Sequence, residues 1–339
     1  MDIVLKILFL SGDTSDYLSI SLLHGLKQLE NVCVIDYPKS DFLYHDNDKL
    51  LRPYLRGNGF TLFFSLDDKP VRRVNLKLDR IMTGKYDLIV FGDIKSNFGL
   101  YFEYLPFLNK GSTAVLDGSD SPSLFGDSGE FWRTPYYWSI PRPQNRFLYF
   151  KREWIPTEIN HSRCFKLLPR QLSGLLPQKP SLRQISFSVP AEKIVRTIPN
   201  KTKLLASHIV DDEIRLSYSD CESSGYLFES EEDYYADLRS ARFGITTKRA
   251  GWDCLRHYEI AANGTVMCFR DLELKPVLCA PHGLMPGVNC ISYSSYDDLM
   301  SKILNMTEDS YRLLLQESLS WIWQHTTKQA ATKFLSHFS

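Results

Sequence analysis

Residues Lys85–Asp93 read KYDLIVFGD. Leu88, Ile89, Val90 and Phe91 form an apolar run without alternation, the pattern of a strand covered on both faces, and Gly92–Asp93 closes it. Such strands belong to parallel sheets built from βαβ units, and the surrounding sequence agrees. Upstream, Ile3–Leu10 reads as a strand. Tyr17–Leu29 places Leu18, Leu22 and Leu26 on one helical face, and Val32–Asp36 and Thr61–Ser65 read as further strands. Downstream, Gly99–Leu108 is helical in pattern, and Thr113–Asp117 and Arg146–Lys151 are strand-like.

From Trp154 to Val189 the pattern weakens among Pro156, Pro169, Pro177 and Pro180, as a connection between domains would. A second series follows. Lys203–Ile209, Gly225–Glu229, Phe243–Thr247 and Thr265–Phe269 read as strands, and Glu231–Ala241 and Cys254–Ala262 as helices. The tail reads helical over Tyr296–Leu304 and again from Glu308 to the end. The expected fold class is α/β, with two Rossmann-like domains facing across a cleft. Residues 1–178 would form the first domain, with its linker from about 154, and 179–318 the second; a C-terminal helix over 319–339 would return toward the first.

The 339 residues include 40 basic and 40 acidic side chains, so the formal net charge is zero. A chain of this length suits two domains of roughly 100–200 residues each. With 43% hydrophobic and 24% charged residues it has an ordinary globular balance, which excludes a disordered or fibrous chain. Zero net charge argues against an extended nucleic-acid partner, but not against a local phosphate pocket. No stretch approaches the ~18 apolar residues of a membrane span. The opening segment carries Asp2 and Lys6 and reads as a strand rather than a secretory signal. Seven cysteines, an odd number without CxxC spacing, suggest free thiols and a cytoplasmic location.

Most of the chemistry sits in Lys248–Glu259, KRAGWDCLRHYE, which leaves a strand and enters a helix. Ligands of open α/β sheets bind beyond the carboxyl ends of strands, where the next helix's first turn favours an anion. Lys248, Arg249 and Arg256 would converge there on a diphosphate, Gly251 would let the backbone pass close, and Asp253 would cap the helix. Glu259, one turn beyond Arg256, could accept hydrogen bonds from a ribose diol. The competing reading is a solvated surface turn with an Arg256–Glu259 pair. Neither a P-loop nor G-x-G-x-x-G is present.

The run Glu229–Leu304, which includes SEEDYYADLRSARFGITTKRAGWDCLRHYEIAANGTVMCF, resembles the donor half of GT-B glycosyltransferases. Arg256–Glu259 followed by Ala261, Ala262 and Gly264 is most similar to their spore-maturation-type and exostosin-like branches. The later PHGLMPGVNCISYSSYDDLMSKI, the WIWQHT helix and the Tyr149–Glu153 segment YFKRE resemble the same branch. The resemblance implies that Glu259 holds the ribose of a nucleotide sugar, with a UDP-sugar favoured. It implies that Arg249, Arg256 and Lys248 stabilise the leaving diphosphate without a catalytic metal or cofactor. The acceptor would be a glycan or other hydroxyl compound. Many retaining members carry a Glu-x7-Glu pair, whose first position here is Gly251, so inversion is the expected outcome.

Inverting transfer needs a base on a loop after an N-terminal strand. Asp13 with Asp16, Asp93, and Asp117 with Asp120 all qualify, although Asp is also a common turn and cap residue. Asp13 stands first and Asp93 second. Lys151 and Arg152 could face the cleft and join the donor contacts, while Tyr136, Tyr137 and Trp138 could stack on an acceptor or pack in the core. His161/Cys164, Cys254/His257 and Cys279/His282 lack the knuckles of a zinc site, and no G-x-S-x-G elbow marks a hydrolase. The alternative function is a non-catalytic nucleotide-binding or scaffold protein of the same fold.

Overall fold

The computed structural model describes residues 4–12, 16–44, 52, 54–67, 84–155, 181–218 and 227–338. Leu88–Phe91 (β3) is buried along its whole length, as its continuous apolar run requires. It lies inside a parallel sheet with Leu5–Leu10 (β1), Val32–Tyr37 (β2), Thr113–Asp117 (β4), Leu148–Lys151 (β5) and Leu182–Gln184 (β6), in the order β2-β1-β3-β4-β5-β6. The order reverses between β1 and β3, which opens a crevice beyond their carboxyl ends. A second parallel sheet contains Lys203–Leu205 (β7), Ala241–Thr246 (β8), Val266–Arg270 (β9) and Ile291–Tyr293 (β10), in the order β10-β9-β8-β7.

Helices begin where the sequence offers an oxygen to their first amides. Asp16 accepts from Ser19 N to start Tyr17–Lys27 (α1), and Phe98–Tyr104 (α2) follows β3. Asp212–Tyr218 (α3) precedes Glu231–Ser240 (α4), which Ser230 caps. Leu255–Ala262 (α5) follows β8. Ser295, Thr307 and Thr326 cap Tyr296–Leu304 (α6), Glu308–Trp323 (α7) and Thr327–Leu335 (α8).

Several expectations shift. Thr61–Ser65 is a turn, not a strand, with Thr61 and Phe64 at φ of 68° and 53°. β6 extends the first sheet to Gln184, past residue 178. The short β10 escaped the sequence reading, and the tail breaks in two at Gln324–Thr326, where the capping hydroxyl of Thr326 starts a new helix. Residues 225 and 226 lie outside the described residues, and Leu227–Glu229 forms no strand.

α8 returns to the first sheet. Thr327 N donates to Val189 O at 2.9 Å, Thr327 Oγ1 lies 2.9 Å from His24 Nδ1, and Phe334 packs on Phe150 of β5 at 4.7 Å between rings. The contact needs a bare backbone at Gly25 of α1, because a Cβ there would stand 1.9 Å from Thr327 O. Glycine to alanine inside a helix ordinarily adds up to ~1 kcal/mol of stability. Here the sign should reverse, with Gly25→Ala losing about 1–3 kcal/mol in denaturant unfolding. Unchanged or increased stability would contradict this packing.

Candidate functional site

The loop Thr247–Cys254 leaves β8 and turns back at Arg249, whose N–H reaches Gly251 O at 3.0 Å. It borders a cavity of about 830 Å³ that Ser207, His208 and Ile209 after β7 close on another side. Tyr17 and Arg56 face it from the first half of the chain. Lys248, Arg249 and Arg256 all line this space, and among the described residues none of them pairs with a carboxylate. Burial, together with the charges of Arg256 and Arg249, drives His208 down to about 3, so it stays neutral and adds no charge to theirs. The first turn of α5 points at the same space from Cys254, which supplies no side-chain cap bond. The cap is therefore Cys254 rather than Asp253.

Asp253 has another task. Its carboxylate accepts from Phe187 N at 3.0 Å and Tyr258 Oη at 2.8 Å, and burial raises it to about 6. Its N–H donates to Glu153 Oε1 at 2.9 Å, and its carbonyl accepts from Arg152 Nη1 at 2.8 Å. Arg152 also donates to Gly118 O at 2.9 Å, pairs with Asp120 and lies over the Phe187 ring at 4.4 Å. Burial opposes its charge, but Asp253, Asp120 and Glu153 outweigh burial and hold the guanidinium above its ordinary range. Arg152 is thus a strut between the two halves, walled off from the cavity it was expected to line. Gly251 lies against the same strut: a Cβ there would meet Glu153 Oε1 at 2.6 Å and Asp120 Oδ1 at 3.0 Å. A glutamate at that position would add a third carboxylate where two already crowd.

Glu259 is buried at the edge of a small side pocket that shares Tyr17, His208 and Arg256 with the main cavity. Its carboxylate accepts from Tyr234 Oη at 3.0 Å and from the Thr61 hydroxyl, and burial raises its pKa. The turn carrying Thr61 docks on the second half, with Thr61 N bound by Glu231 and Phe60 stacked on Tyr234 at 6.1 Å. A ribose at Glu259 would take the place of the Thr61 hydroxyl.

A second cavity of about 470 Å³ opens beyond the carboxyl ends of β1, β3 and β4, and Arg56 and Asp120 belong to both spaces. Asp16 and Asp93 line it without an ion-pair partner among the described residues. The backbones are bare at the closest approaches, since a Cβ on Gly118 would stand 2.6 Å from Asp16 Oδ1 and one on Gly12 2.8 Å from Asp93 Oδ2. Burial first, and the Asp93 charge beside it, raise Asp16 to about 6. Asp13 lies outside the described residues.

Other expected contacts fall elsewhere. Lys151 is fully buried, with Nζ 3.0 Å from Asp117 Oδ1 and 3.1 Å from Ser119 O, so it reaches neither cavity. Both it and Asp117 support the β4–β5 strand ends. Tyr136 and Trp138 stand in solvent at 69% and 72% exposure, because Tyr136 adopts a left-handed φ of 57° and turns the segment outward. Tyr137 packs on Trp132 at 4.5 Å, and none of the three aromatic residues lines either cavity. His161 and Cys164 lie outside the described residues, and both ring nitrogens of His257 are engaged, by Thr246 and by Trp252 O. Among the described residues no three His, Cys, Asp or Glu side chains converge as metal ligands. Nor is any described helix long and apolar enough to cross a membrane. The sequence reading assigned no role to Arg56; its segment LRGNGF offered only a glycine-rich turn as a signal.

No protein-family model matches the chain, and no curated protein matches it in sequence. Solved structures do. Anabaena HepE in complex with UDP is similar at 13% identity and a TM-score of 0.50, over 98% of this chain and 99% of that one. Sucrose-phosphate synthase from Thermosynechococcus elongatus is similar at 11% identity and 0.50, over 98% of both chains. The fold is GT-B: two parallel-sheet domains facing across a cleft.

Folding moves Asp16 from 3.8 to about 6, so between those values the folded state holds a proton that the unfolded chain has released. The stability this supplies is complete below about pH 4 and is lost as pH rises through about 6. Asparagine keeps the cap and mimics the protonated acid. Asp16→Asn should therefore match the parent near pH 4 and melt at a higher temperature near pH 8. A difference independent of pH in that range would contradict the burial of this carboxyl.

Proposed function

We propose that the protein is a glycosyltransferase that moves a sugar from a nucleoside diphosphate donor to an acceptor hydroxyl. The observation that carries this reading is the separation of charge between two cavities that share Arg56 and Asp120. Lys248, Arg249 and Arg256 stand at a helix start on one side and Asp16 and Asp93 on the other, all without an ion-pair partner among the described residues. The second sheet holds the donor and the first receives the acceptor. As the sugar–phosphate bond breaks, negative charge grows on the leaving diphosphate, and the cations and first-turn amides of α5 stabilise it there without a catalytic metal.

Asp16 takes the role of base, with Asp93 beside it. A carboxyl poised at about 6 is ionised at neutral pH yet is a stronger proton acceptor than an ordinary aspartate. The acceptor oxygen attacks the anomeric carbon opposite the leaving group, and its proton passes to Asp16, giving inversion. The crowding at Gly251 supports this reading, because a glutamate there, as in many retaining GT-B enzymes, would meet the Glu153 and Asp120 carboxylates. UDP is the first donor probe, since HepE, which shares the fold, was solved with it. Glu259 would grip the ribose once the Thr61 hydroxyl yields its place.

In calorimetric titration Arg256→Ala should weaken UDP about ten- to a hundredfold, the worth of a charge-assisted hydrogen bond, and leave uridine binding unchanged. Equal losses for both ligands would remove the diphosphate assignment. Asp16→Asn should keep UDP affinity and lower transfer or donor hydrolysis at least ~100-fold. Full turnover in that variant would exclude Asp16 as base, and binding without turnover in the parent would favour a non-catalytic nucleotide-binding protein.

A further inference from the structure

The donor cavity holds more positive charge than a diphosphate balances. A diphosphate esterified at both ends carries a single negative charge per phosphate group. Lys248, Arg249 and Arg256 already exceed that, and Arg56 adds another cation to the same space. The acidic residues of the cavity do not cancel the excess. Asp212 pairs with Arg215 at 2.8 Å, Asp120 pairs with Arg152, and Asp253 is turned into the bonds from Phe187 N and Tyr258 Oη. Arg56 meets no carboxylate among the described residues, and its guanidinium lies over the Tyr17 ring at 4.9 Å.

The position of Arg56 is fixed by the turn that carries it. Gly57 and Asn58 adopt φ of 60° and 53°, Asn58 Nδ2 donates to Phe228 O at 3.3 Å, and Phe60 and Thr61 dock on α4 and α5. Arg56, which lines both cavities, is consequently held at their junction, where the sugar of a donor would lie with its diphosphate at Arg256. The acceptor cavity has the opposite character. Lys95 there is tied to Glu130 at 2.9 Å, while Asp16 and Asp93 have no ion-pair partner among the described residues, a field that repels an anionic acceptor. The spare positive charge therefore faces the donor's sugar.

We propose that the transferred sugar is itself anionic, a uronic acid or comparable carboxylate-bearing sugar, and that Arg56 receives its carboxylate at the junction of the two cavities. Arginine suits the task, because its planar fork meets a carboxylate with two parallel hydrogen bonds. The inference rests on the nucleotide-sugar reading above and adds the chemical class of the sugar.

Titration of the full chain and of Arg56→Gln with UDP, UDP-glucose and UDP-glucuronate tests it. The parent should bind UDP-glucuronate at least ~10-fold more tightly than UDP-glucose. In Arg56→Gln that preference should collapse to within about twofold, with UDP-glucuronate losing at least ~5-fold more affinity than UDP-glucose does. Equal affinities of the parent for the two sugars, with UDP bound, would overturn the anionic-sugar inference alone. A preference that survives in Arg56→Gln would overturn Arg56 as its receptor. Failure of the parent to bind any of the three would overturn the donor reading and this inference with it.

Discussion

One buried guanidinium holds the two halves of this molecule in register. Arg152 directly follows β5 of the first sheet and reaches Gly118 O and Asp120 after β4 and the Asp253 carbonyl before α5. A charge so deeply enclosed is tolerated only when its partners are themselves in place, because burying it unpaired would cost several kcal/mol. Asp120, Glu153 and Asp253 meet that condition, and in doing so they set the approach of the β8–α5 loop to the first sheet. The close pass at Gly251, the exposure of Arg249 and the separation of the two cavities all follow from that approach.

The same strut sorts charge across the cleft. It consumes Asp120 and Glu153, which would otherwise face the cations, and leaves Lys248, Arg249 and Arg256 to the donor side. On the far side the reversal of strand order between β1 and β3 brings Asp16 and Asp93 together, and bare backbones at Gly12 and Gly118 let them share a small space. Burial, with the Asp93 charge beside it, pushes Asp16 toward protonation, which is how an ordinary aspartate gains basicity near neutral pH. Cations and carboxylates held apart, without ion-pair partners among the described residues, give up stability that pairing would supply.

Much of the fold was legible in the sequence because buried parallel strands announce themselves as uninterrupted apolar runs. KYDLIVFGD and the strand before KRAGWDCLRHYE fall in β3 and β8, and Lys248, Arg249 and Arg256 do gather at one cavity. Thr61–Ser65 misled, since TLFFS has strand composition; its backbone turns at Thr61 and Phe64 because Glu231 and Glu259 capture Thr61 from the other half. Local sequence carries no trace of such a distant partner. The same limit explains Lys151 and Arg152. Two adjacent cations at a strand end read as cleft residues, and only the carboxylates of Asp117 and Asp120, distant in sequence, reveal that both are enclosed. For Tyr136 and Trp138 aromatic composition pointed to a binding face, whereas a left-handed turn carries them into solvent.

The account stands on the cleft between the two halves being the seat of a nucleoside diphosphate. A crystal structure of the protein grown with UDP tests this most directly. The account predicts the diphosphate at the start of α5, with phosphate oxygens within hydrogen-bonding distance of Arg249 and Arg256. It also predicts the ribose beside Glu259, with Thr61 displaced. UDP bound away from this helix start, or an undisturbed Thr61–Glu259 contact beneath a bound nucleotide, would contradict it.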